Sequence, residues 1–462
     1  MHRSLSAPRT SPWVCILLFT ALSAAYHSNL RPIASGDTLP ASLIPISVWL
    51  DHTVLLDRFG PWVETHKEYS WVASRIRGHY YSSYPIAGPL LATPLYFPLS
   101  AFRGLRDWDP GSLIALARIL EKLAATAIAA VSAVLMLLLL KHLTSDSWAW
   151  GLTLLYALGT EAWSTSSQAL WQHTTGQFAI IGALLFLERW SEQRRSPVTL
   201  VLCGACAALA LMIRPSNVVL LPAIVAALFA IRARVLDYLL FILSPFAGGL
   251  LLLAYNIYVF RSPSGAYLLD WFHGDFWDAL SGSLFSPGRG LLVYTPAAIF
   301  ALSALLPKAA TARHKHNAVF MASIVFVILH FLVIANYRFW WGGYCWGPRL
   351  LSEIMPPLVV LMAVGTPALE APWAKRSFAV LAIYGCLIQT LGVYFYPKGH
   401  WDHLPVPVDQ APGRVWSWRD NPIIRTAAAG PVWEPYAIMG AGLRGGPAGA
   451  ARRMRELDIN AY

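Results

Sequence analysis

Residues 13–26 read WVCILLFTALSAAY, and residues 31–45, which follow almost directly, read RPIASGDTLPASLIP. The first run is apolar enough for a membrane helix, whereas the second carries an acid, Asp37, between a glycine and a threonine. Pro32 and Pro40 break regular structure on either side of that acid. Charged side chains inside lipid are costly and mark function, and the unusual polar residues of this chain collect instead at helix ends on one side. The stretch therefore predicts a membrane protein with a polar site at one membrane face.

The rest of the chain repeats the apolar pattern of this first run. Of its 462 residues 56% are hydrophobic and only 13% are charged, compared with roughly 25% charged residues in soluble domains. About 20 helical residues cross the ~30 Å hydrocarbon layer of a membrane. Eleven apolar segments recur along the chain, and they are residues 13–27, 112–140, 147–163, 174–188, 198–213, 217–231, 236–260, 290–306, 318–336, 350–368 and 377–395. We therefore predict an all-α polytopic membrane protein with about eleven transmembrane helices.

The formal net charge of +11 has a topological meaning here, because short cytoplasmic loops of membrane proteins are enriched in Lys and Arg. If the N-terminus lies inside, the cytoplasmic pieces hold thirteen Lys and Arg residues against five Asp and Glu residues. This distribution favours a multi-pass protein of the bacterial inner (cytoplasmic) membrane, surrounded by membrane lipids, with its N-terminus inside and its C-terminus outside. Because topology accounts for the positive charge, we predict no nucleic-acid partner. The first segment has an alternative interpretation as a cleaved signal peptide, which also leaves residues 28–84 outside.

Two polar stretches lie outside the lipid in this topology. Residues 1–395 form the predicted transmembrane domain, in which residues 28–111 are a large first periplasmic loop, and residues 396–462 form a periplasmic tail. The loop contains YPIAGPLLATPLYFPLSAF, whose four prolines predict short interfacial or re-entrant helices rather than a regular span. The sequence has no nucleotide-binding glycine loop, no His/Cys cluster with zinc spacing and no serine-nucleophile elbow. No metal site is predicted, and dependence on a divalent metal stays open.

Arginines stand at the outer ends of helices, against the positive-inside bias. Arg289 in SPGRG and Arg349 in WGPRL each lie where a helix begins, beside Gly and Pro residues that expose backbone N–H groups. An arginine at a helix N-terminus is suited to binding an anion. Arg338 is a third outer arginine. Two alternatives stay open: such arginines extend to lipid phosphates at the interface, and Asp37 caps a short helix at TLPASLIP.

Other polar and aromatic side chains collect on the same predicted face. The loop WWGGYCW has two interpretations, stacking of its rings on a sugar or prenyl chain and an interfacial aromatic belt. The histidine of WQHTTG is either a helix-start residue or a member of the site. Seven residues on this face are further candidate members of the site. They are Glu64, Lys67, Glu68, His173, His273, Trp341 and Trp346.

The order of these parts resembles the GT-C superfamily of membrane glycosyltransferases, such as the aminoarabinose and protein O-mannosyl transferases. A first helix precedes a large outer loop with an acid near its start, here Asp37. The segment YPIAGPLL occupies the place of the family's interfacial helix, and Arg118 lies at the beginning of the next span. The motifs SGDT, SPGRG and WGG-x-x-WGPR look like those of a bacterial GT-C-like group. The chain departs from the mannosyl transferases because its first loop has no Asp-Glu pair.

The resemblance implies an enzyme, a GT-C type hexosyl or pentosyl transferase. It would move a sugar from a polyprenyl-phosphate donor to an acceptor hydroxyl on the outer face of the membrane, with inversion at the sugar carbon. Asp37 would be the catalytic base, and Arg349, Arg289 and Arg338 would bind the donor phosphate. The acceptor, a glycan, a lipid or a protein, is not identified by the sequence.

Two other classes compete with this interpretation. A lipid or glycan transporter or flippase is expected to show inverted repeats and charges near the middle of the bilayer, whereas the breaks and charges here lie at one face. An O-antigen ligase or polymerase shares outer-face arginines but uses a diphosphate-linked glycan donor. The acid in the first outer loop, Asp37, favours the GT-C interpretation over this second class.

Overall fold

The protein is described by a computed structural model that covers residues 10–101, 104–192, 196–267, 272 and 274–456. Each of the eleven predicted apolar segments coincides with helical structure. The α-helices are α1 (Pro12–His27), α2 (Leu39–Asp51), α3 (Gly60–Thr65), α4 (Ala87–Ala92), α5 (Pro110–Leu143), α6 (Asp146–Leu158), α7 (Gln172–Glu192), α8 (Pro197–Ile213), α9 (Leu220–Ala230), α10 (Val235–Phe260), α11 (Phe276–Phe285), α12 (Leu291–Tyr294), α13 (Ala310–Lys315), α14 (Asn317–Ala335), α15 (Met355–Gly365), α16 (Pro372–Tyr394), α17 (Pro422–Ala429) and α18 (Glu434–Glu456, broken at Gly445 and Gly446).

Among the described residues, five helical stretches are long and apolar enough to cross a membrane. They are Pro110–Leu143, Val235–Phe260, Asn317–Ala335, Arg349–Ala368 and Pro372–Tyr394. The other predicted segments form shorter apolar helices, such as α1 and α8, or carry polar residues, as α7 does. The chain is thus an all-α polytopic membrane protein, as predicted. The number of eleven crossings stays a prediction.

Helix α5 runs through the middle of the bundle and connects its two ends. Its first turn is capped by Asp109, whose carboxylate accepts from the backbone N–H of Ser112 at 3.0 Å. Its 34 residues span about 51 Å, so Arg118 near its start and His142 near its end lie at opposite ends of the bundle. Small buried side chains such as Ala130 and Ala133 let α1, α6 and α7 pack closely against it.

Helix α10 shows how the outside of the bundle is adapted to lipid. Large apolar side chains such as Leu243 and Phe246 are mostly exposed along it, which is unfavourable in water and favourable against hydrocarbon. Its opposite face packs on α8 through small residues. A Cβ at Gly204 would lie 2.4 Å from the carbonyl oxygen of Phe241, so no larger residue fits there without a shift of the backbone.

The segment 28–111 contains the expected short helices and also a hairpin that the sequence did not predict. Strands β1 (Ala73–Ile76) and β2 (His79–Ser82) pair in antiparallel register, with Ile76 opposite His79. Arg77 and Gly78 both have positive φ, 51° and 87°, as a two-residue hairpin turn of the type I′ class requires. The strand β2 leads directly to Tyr84, and the hairpin therefore fixes the position of that residue in the site.

Candidate active site

The segment that carries Asp37 is a short 3₁₀ turn, Gly36–Thr38. This turn is hydrogen-bonded to α5. Arg118 on α5 donates to Thr38 Oγ1 at 2.9 Å and to the carbonyl oxygen of Ser35 at 3.4 Å. The same guanidinium pairs with the fully buried Glu121 at 2.7 Å, so its charge is balanced inside the protein. Since this support comes from α5, the turn is fixed relative to the transmembrane bundle.

The carboxylate of Asp37 faces Arg349 and Tyr84. Its Oδ2 lies 2.6 Å from Nη1 of Arg349, 312 positions away in the chain, and its Oδ1 accepts from the Tyr84 hydroxyl at 2.9 Å. The cap of the turn is provided by Ser35, whose hydroxyl accepts from the Asp37 N–H at 3.1 Å. The side chain of Asp37 is 29% exposed and that of Arg349 is 11% exposed. The acid is therefore ion-paired yet still reachable from outside.

Arg349 begins the 3₁₀ turn Arg349–Ile354 that leads into α15. Its Nη2 donates to the carbonyl oxygen of Gly342 at 2.7 Å, and its guanidinium carbon lies 4.5 Å from the centre of the Trp171 ring. Its Nε is buried and has no hydrogen-bond partner among the described residues. Arg349 thus connects the Asp37 turn with the loop 339–346 and retains donor capacity for an anion.

Aromatic rings surround the Asp37 turn. A Cβ at Gly36 would lie 2.5 Å from Cζ2 of Trp71, so the indole ring covers the backbone of the turn, and the rings of Trp71 and Tyr84 meet edge to face at 6.2 Å. Burial, followed by the charge of Asp37, raises the pKa of the Tyr84 phenol. Tyr84 therefore remains a hydrogen-bond donor to the carboxylate. A cleft beside the acid is lined by Tyr84, Trp171, Gln172 and Thr175.

A buried charged cluster lies beneath this surface. Glu353 is fully buried, and its carboxylate lies 2.9 Å from His173 Nδ1 and 2.7 Å from Arg214 Nη1. Glu353 follows Arg349 by four positions on the same helical segment, so the cluster fixes the turn that presents Arg349. The predicted candidate His173 is thus 3% exposed and supports the site from within.

Arg289 occupies a different environment from Arg349. It is 1% exposed and pairs with Asp402 of the tail at 2.7 Å. It also donates to the carbonyl oxygens of Trp341, Gly288 and Gly343, each at 2.8–2.9 Å. These four hydrogen bonds go to protein acceptors. Arg289 therefore attaches the tail to the loop 339–346, and the hydrogen bonds described for Arg289 do not include Asp37.

The remaining sequence-predicted candidates have other environments, and no hydrogen bond described for them involves Asp37 or Arg349. Trp341 and Trp346 are buried, with 7% and 2% of their surfaces exposed, and pack within the protein. Arg338 is exposed and lies over Phe339, with 5.6 Å from its guanidinium carbon to the ring centre. The carboxylate of Glu64 accepts from the Tyr80 hydroxyl and pairs with Arg75. Lys67 and Glu68 are exposed in the same loop, and His273 lies outside the described residues.

Four side chains of the site, Tyr84, Trp171, Arg214 and Glu353, are absent from the sequence-based candidates. For Glu353 a signal existed, because it is an isolated acid at the start of an apolar segment. Tyr84 had none, because only the unpredicted hairpin carries it to Asp37.

No family model matches the chain, and no curated protein matches it. The fold, however, is similar to that of a solved membrane protein. Among solved structures, the chain is similar to ArnT from Cupriavidus metallidurans bound to undecaprenyl phosphate, with 14% identity and a TM-score of 0.50 over 96% of this chain and 75% of that one. The apo structure of the same protein gives 15% identity and a TM-score of 0.51 over the same shares. At such low identity this likeness shows the fold, and the predicted GT-C resemblance is confirmed at that level.

Proposed function

We propose that the protein is a glycosyltransferase that moves a sugar from a polyprenyl-phosphate donor to an acceptor hydroxyl at the outer membrane face, with inversion. The contact between Asp37 and Arg349 is the observation that carries this proposal. Each residue was a candidate from its own sequence context, and they meet at 2.6 Å from positions 312 apart. The likeness to ArnT bound to undecaprenyl phosphate supports the choice of a lipid-linked phosphate donor.

Asp37 is the proposed general base. A carboxylate offers about four acceptor positions, and the described hydrogen bonds of Asp37 use two of them, for Tyr84 and Arg349. The partly exposed carboxylate can therefore accept an additional hydrogen bond from an acceptor hydroxyl. Removal of a proton by a positioned side chain typically contributes 10²–10⁴-fold to a rate.

Arg349 is the proposed contact for the donor phosphate. It has five N–H donors, of which two are used in the described hydrogen bonds, and its buried Nε has no partner. Arg289, with four hydrogen bonds to protein, is assigned instead to holding the loop 339–346. Arg338 is exposed at the rim and is a weaker candidate for the phosphate.

The proposed reaction is a single displacement at the anomeric carbon. The acceptor oxygen forms a bond to that carbon while the bond between the carbon and the phosphate oxygen breaks, and the hydroxyl proton passes to Asp37. Polyprenyl phosphate leaves with the electron pair of the broken bond, and its added negative charge is stabilised by Arg349. One attack on the face opposite the leaving group inverts the configuration.

The proposed site belongs on the periplasmic side of a bacterial cytoplasmic membrane, with the N-terminus inside. Cysteine substitutions at His314 and at Gln410, made in a background without the native cysteines, test this orientation. A membrane-impermeant thiol reagent added to intact cells should label position 410 and leave position 314 unlabelled. Labelling of position 314 alone would reverse the proposed orientation.

The function is tested with purified protein in sealed proteoliposomes. Labelled polyprenyl-phosphate sugars are supplied with envelope glycans, lipids or proteins as acceptors, and both sugar transfer and release of polyprenyl phosphate are measured. We expect both products with a phosphate-linked donor. Lipid movement across the bilayer without cleavage would support a flippase instead, and activity only with diphosphate-linked glycans would support a ligase or polymerase.

A further inference from the structure

A second cluster of polar side chains lies at the end of the bundle opposite Asp37. Glu188 and Glu192 stand one turn apart on α7, and His316 immediately precedes α14. One ligand atom from each of the three lies within 4.8 Å of the others. His142, near the end of α5, contributes a hydrogen bond to Glu192 Oε2 at 2.7 Å. The cluster therefore joins three helices that are far apart in the sequence.

Each glutamate of this cluster pairs with one histidine, but these pairs leave one buried carboxylate oxygen without a hydrogen-bond partner among the described residues. His316 Nδ1 lies 2.5 Å from Oε1 of Glu188, yet Oε2 of Glu188 is buried and has no hydrogen-bond partner among the described residues. Glu188 and His316 are only 1% and 2% exposed. Two glutamates at positions i and i+4 of a helix repel each other, and a buried carboxylate oxygen without a partner is unfavourable. A bound cation would remove both costs.

We propose that Glu188, Glu192 and His316 form a binding site for a divalent transition metal, with Zn²⁺ as the expected ion. Carboxylate oxygen and imidazole nitrogen are both zinc ligands at about 2.0–2.2 Å, and three of them leave a fourth position for water. His142 acts as a positioning residue, because a hydrogen bond from an imidazole N–H orients a coordinating carboxylate. Only small side-chain shifts are needed, since the three atoms already converge.

The site is separate from the proposed catalytic centre. Along α5, His142 lies 24 positions beyond Arg118, which supports the Asp37 turn, and this corresponds to about 36 Å. Along α7, Glu188 lies about 22 Å from His173. The metal is therefore expected to stabilise the junction of α5, α7 and α14 rather than to take part in sugar transfer.

The site is tested on detergent-purified protein stripped with a chelator and then titrated with Zn²⁺. Bound metal is counted after gel filtration, affinity is measured by calorimetry, and thermal unfolding is followed with and without Zn²⁺. The parent protein should retain one Zn²⁺ per chain and melt at a higher temperature when loaded. Glu192→Gln and His316→Ala should lose the retained ion and the thermal shift, and His142→Ala should bind roughly 10- to 100-fold more weakly.

Two control variants make the result specific. His314→Ala removes an exposed histidine two positions from His316. Glu370→Gln removes an exposed glutamate that accepts a hydrogen bond from Trp148 of α6. Both variants should bind Zn²⁺ as the parent does. Gel filtration identifies variants that fail to fold, and the partly exposed Glu192 provides a variant expected to fold. Failure of the folded parent to retain Zn²⁺, or equal binding by His316→Ala and His314→Ala, would overturn the proposal.

Discussion

The substitution Arg349→Lys distinguishes a forked guanidinium contact from a simple positive charge. In the structure the guanidinium bonds Asp37 at 2.6 Å through one nitrogen and the carbonyl oxygen of Gly342 at 2.7 Å through another. It also lies 4.5 Å from the centre of the Trp171 ring. A lysine ammonium is a compact point charge without the planar fork. Arg349→Lys is therefore expected to keep one hydrogen bond and to lose the other together with most of the stacking.

The size of the loss follows from these contacts. A hydrogen bond made by a charged group contributes about 1.5–3 kcal/mol. A cation over an aromatic ring contributes about 0.5–2 kcal/mol, with the higher values at desolvated sites such as this one. The combined loss is about 2–5 kcal/mol. At 1.4 kcal/mol for each factor of ten, donor-dependent transfer at low donor concentration should fall about 30- to 4,000-fold.

The assay compares kcat/KM for the donor in Arg349→Lys with that of the parent at equal amounts of folded protein. Arg58→Lys is the matched control, because Arg58 also pairs with an aspartate, Asp51 at 2.5 Å, and has no assigned role. The control should transfer sugar at the parental rate. If Arg349→Lys were as active as the control, the forked contact would be excluded.

Three further substitutions test the surroundings of the pair. Tyr84→Phe removes one hydrogen bond to the Asp37 carboxylate, and a bond to a charged group contributes about 1.5–3 kcal/mol. We therefore expect kcat to fall roughly 10- to 100-fold, whereas a parental kcat would show that this bond does not contribute to catalysis. Glu353→Gln leaves Arg214 buried without its counter-charge and should lower the free energy of unfolding by about 3–5 kcal/mol, seen as a lower melting temperature that adding Arg214→Gln partly restores. Arg289→Ala leaves the buried Asp402 without its counter-charge and should therefore reduce the yield of folded protein. A folded variant with weakened donor binding would instead indicate that Arg289 binds the donor phosphate.

Much of the fold could be predicted because lipid imposes one strong requirement, long apolar helices that satisfy their own backbone. That requirement is visible in any single segment, such as residues 236–260, which form α10 (Val235–Phe260). The hairpin at residues 73–82 was not predicted, because its strands are only four residues long and show no clear alternation of apolar and polar residues. Its turn, Arg77–Gly78, is not among the common hairpin dipeptides.

The candidate site, like the fold, could be predicted only in part from the sequence. Asp37 and Arg349 could be selected one by one, because each is a charge in an unusual local context beside Gly and Pro. Their contact could not be predicted, since nothing local relates positions 312 apart. Arg289 shares the context of Arg349, yet only the folded structure shows that its guanidinium is engaged with protein, through three backbone carbonyl oxygens and Asp402. The cluster of Glu188, Glu192 and His316 was missed because His316 comes from a segment far in the sequence from the two glutamates of α7.

The central claim, that Asp37 removes the acceptor proton, is tested most directly by comparing Asp37→Asn with Asp51→Asn. Both aspartates lie in the segment 28–111 with 29% of the side chain exposed, and each pairs with an arginine, at 2.6 Å and 2.5 Å. Asparagine keeps the size of the side chain but cannot accept a proton. We predict that kcat of sugar transfer falls roughly 10²–10⁴-fold in Asp37→Asn, with donor binding retained, and stays parental in Asp51→Asn. A folded Asp37→Asn protein that transfers sugar as fast as Asp51→Asn would contradict the claim.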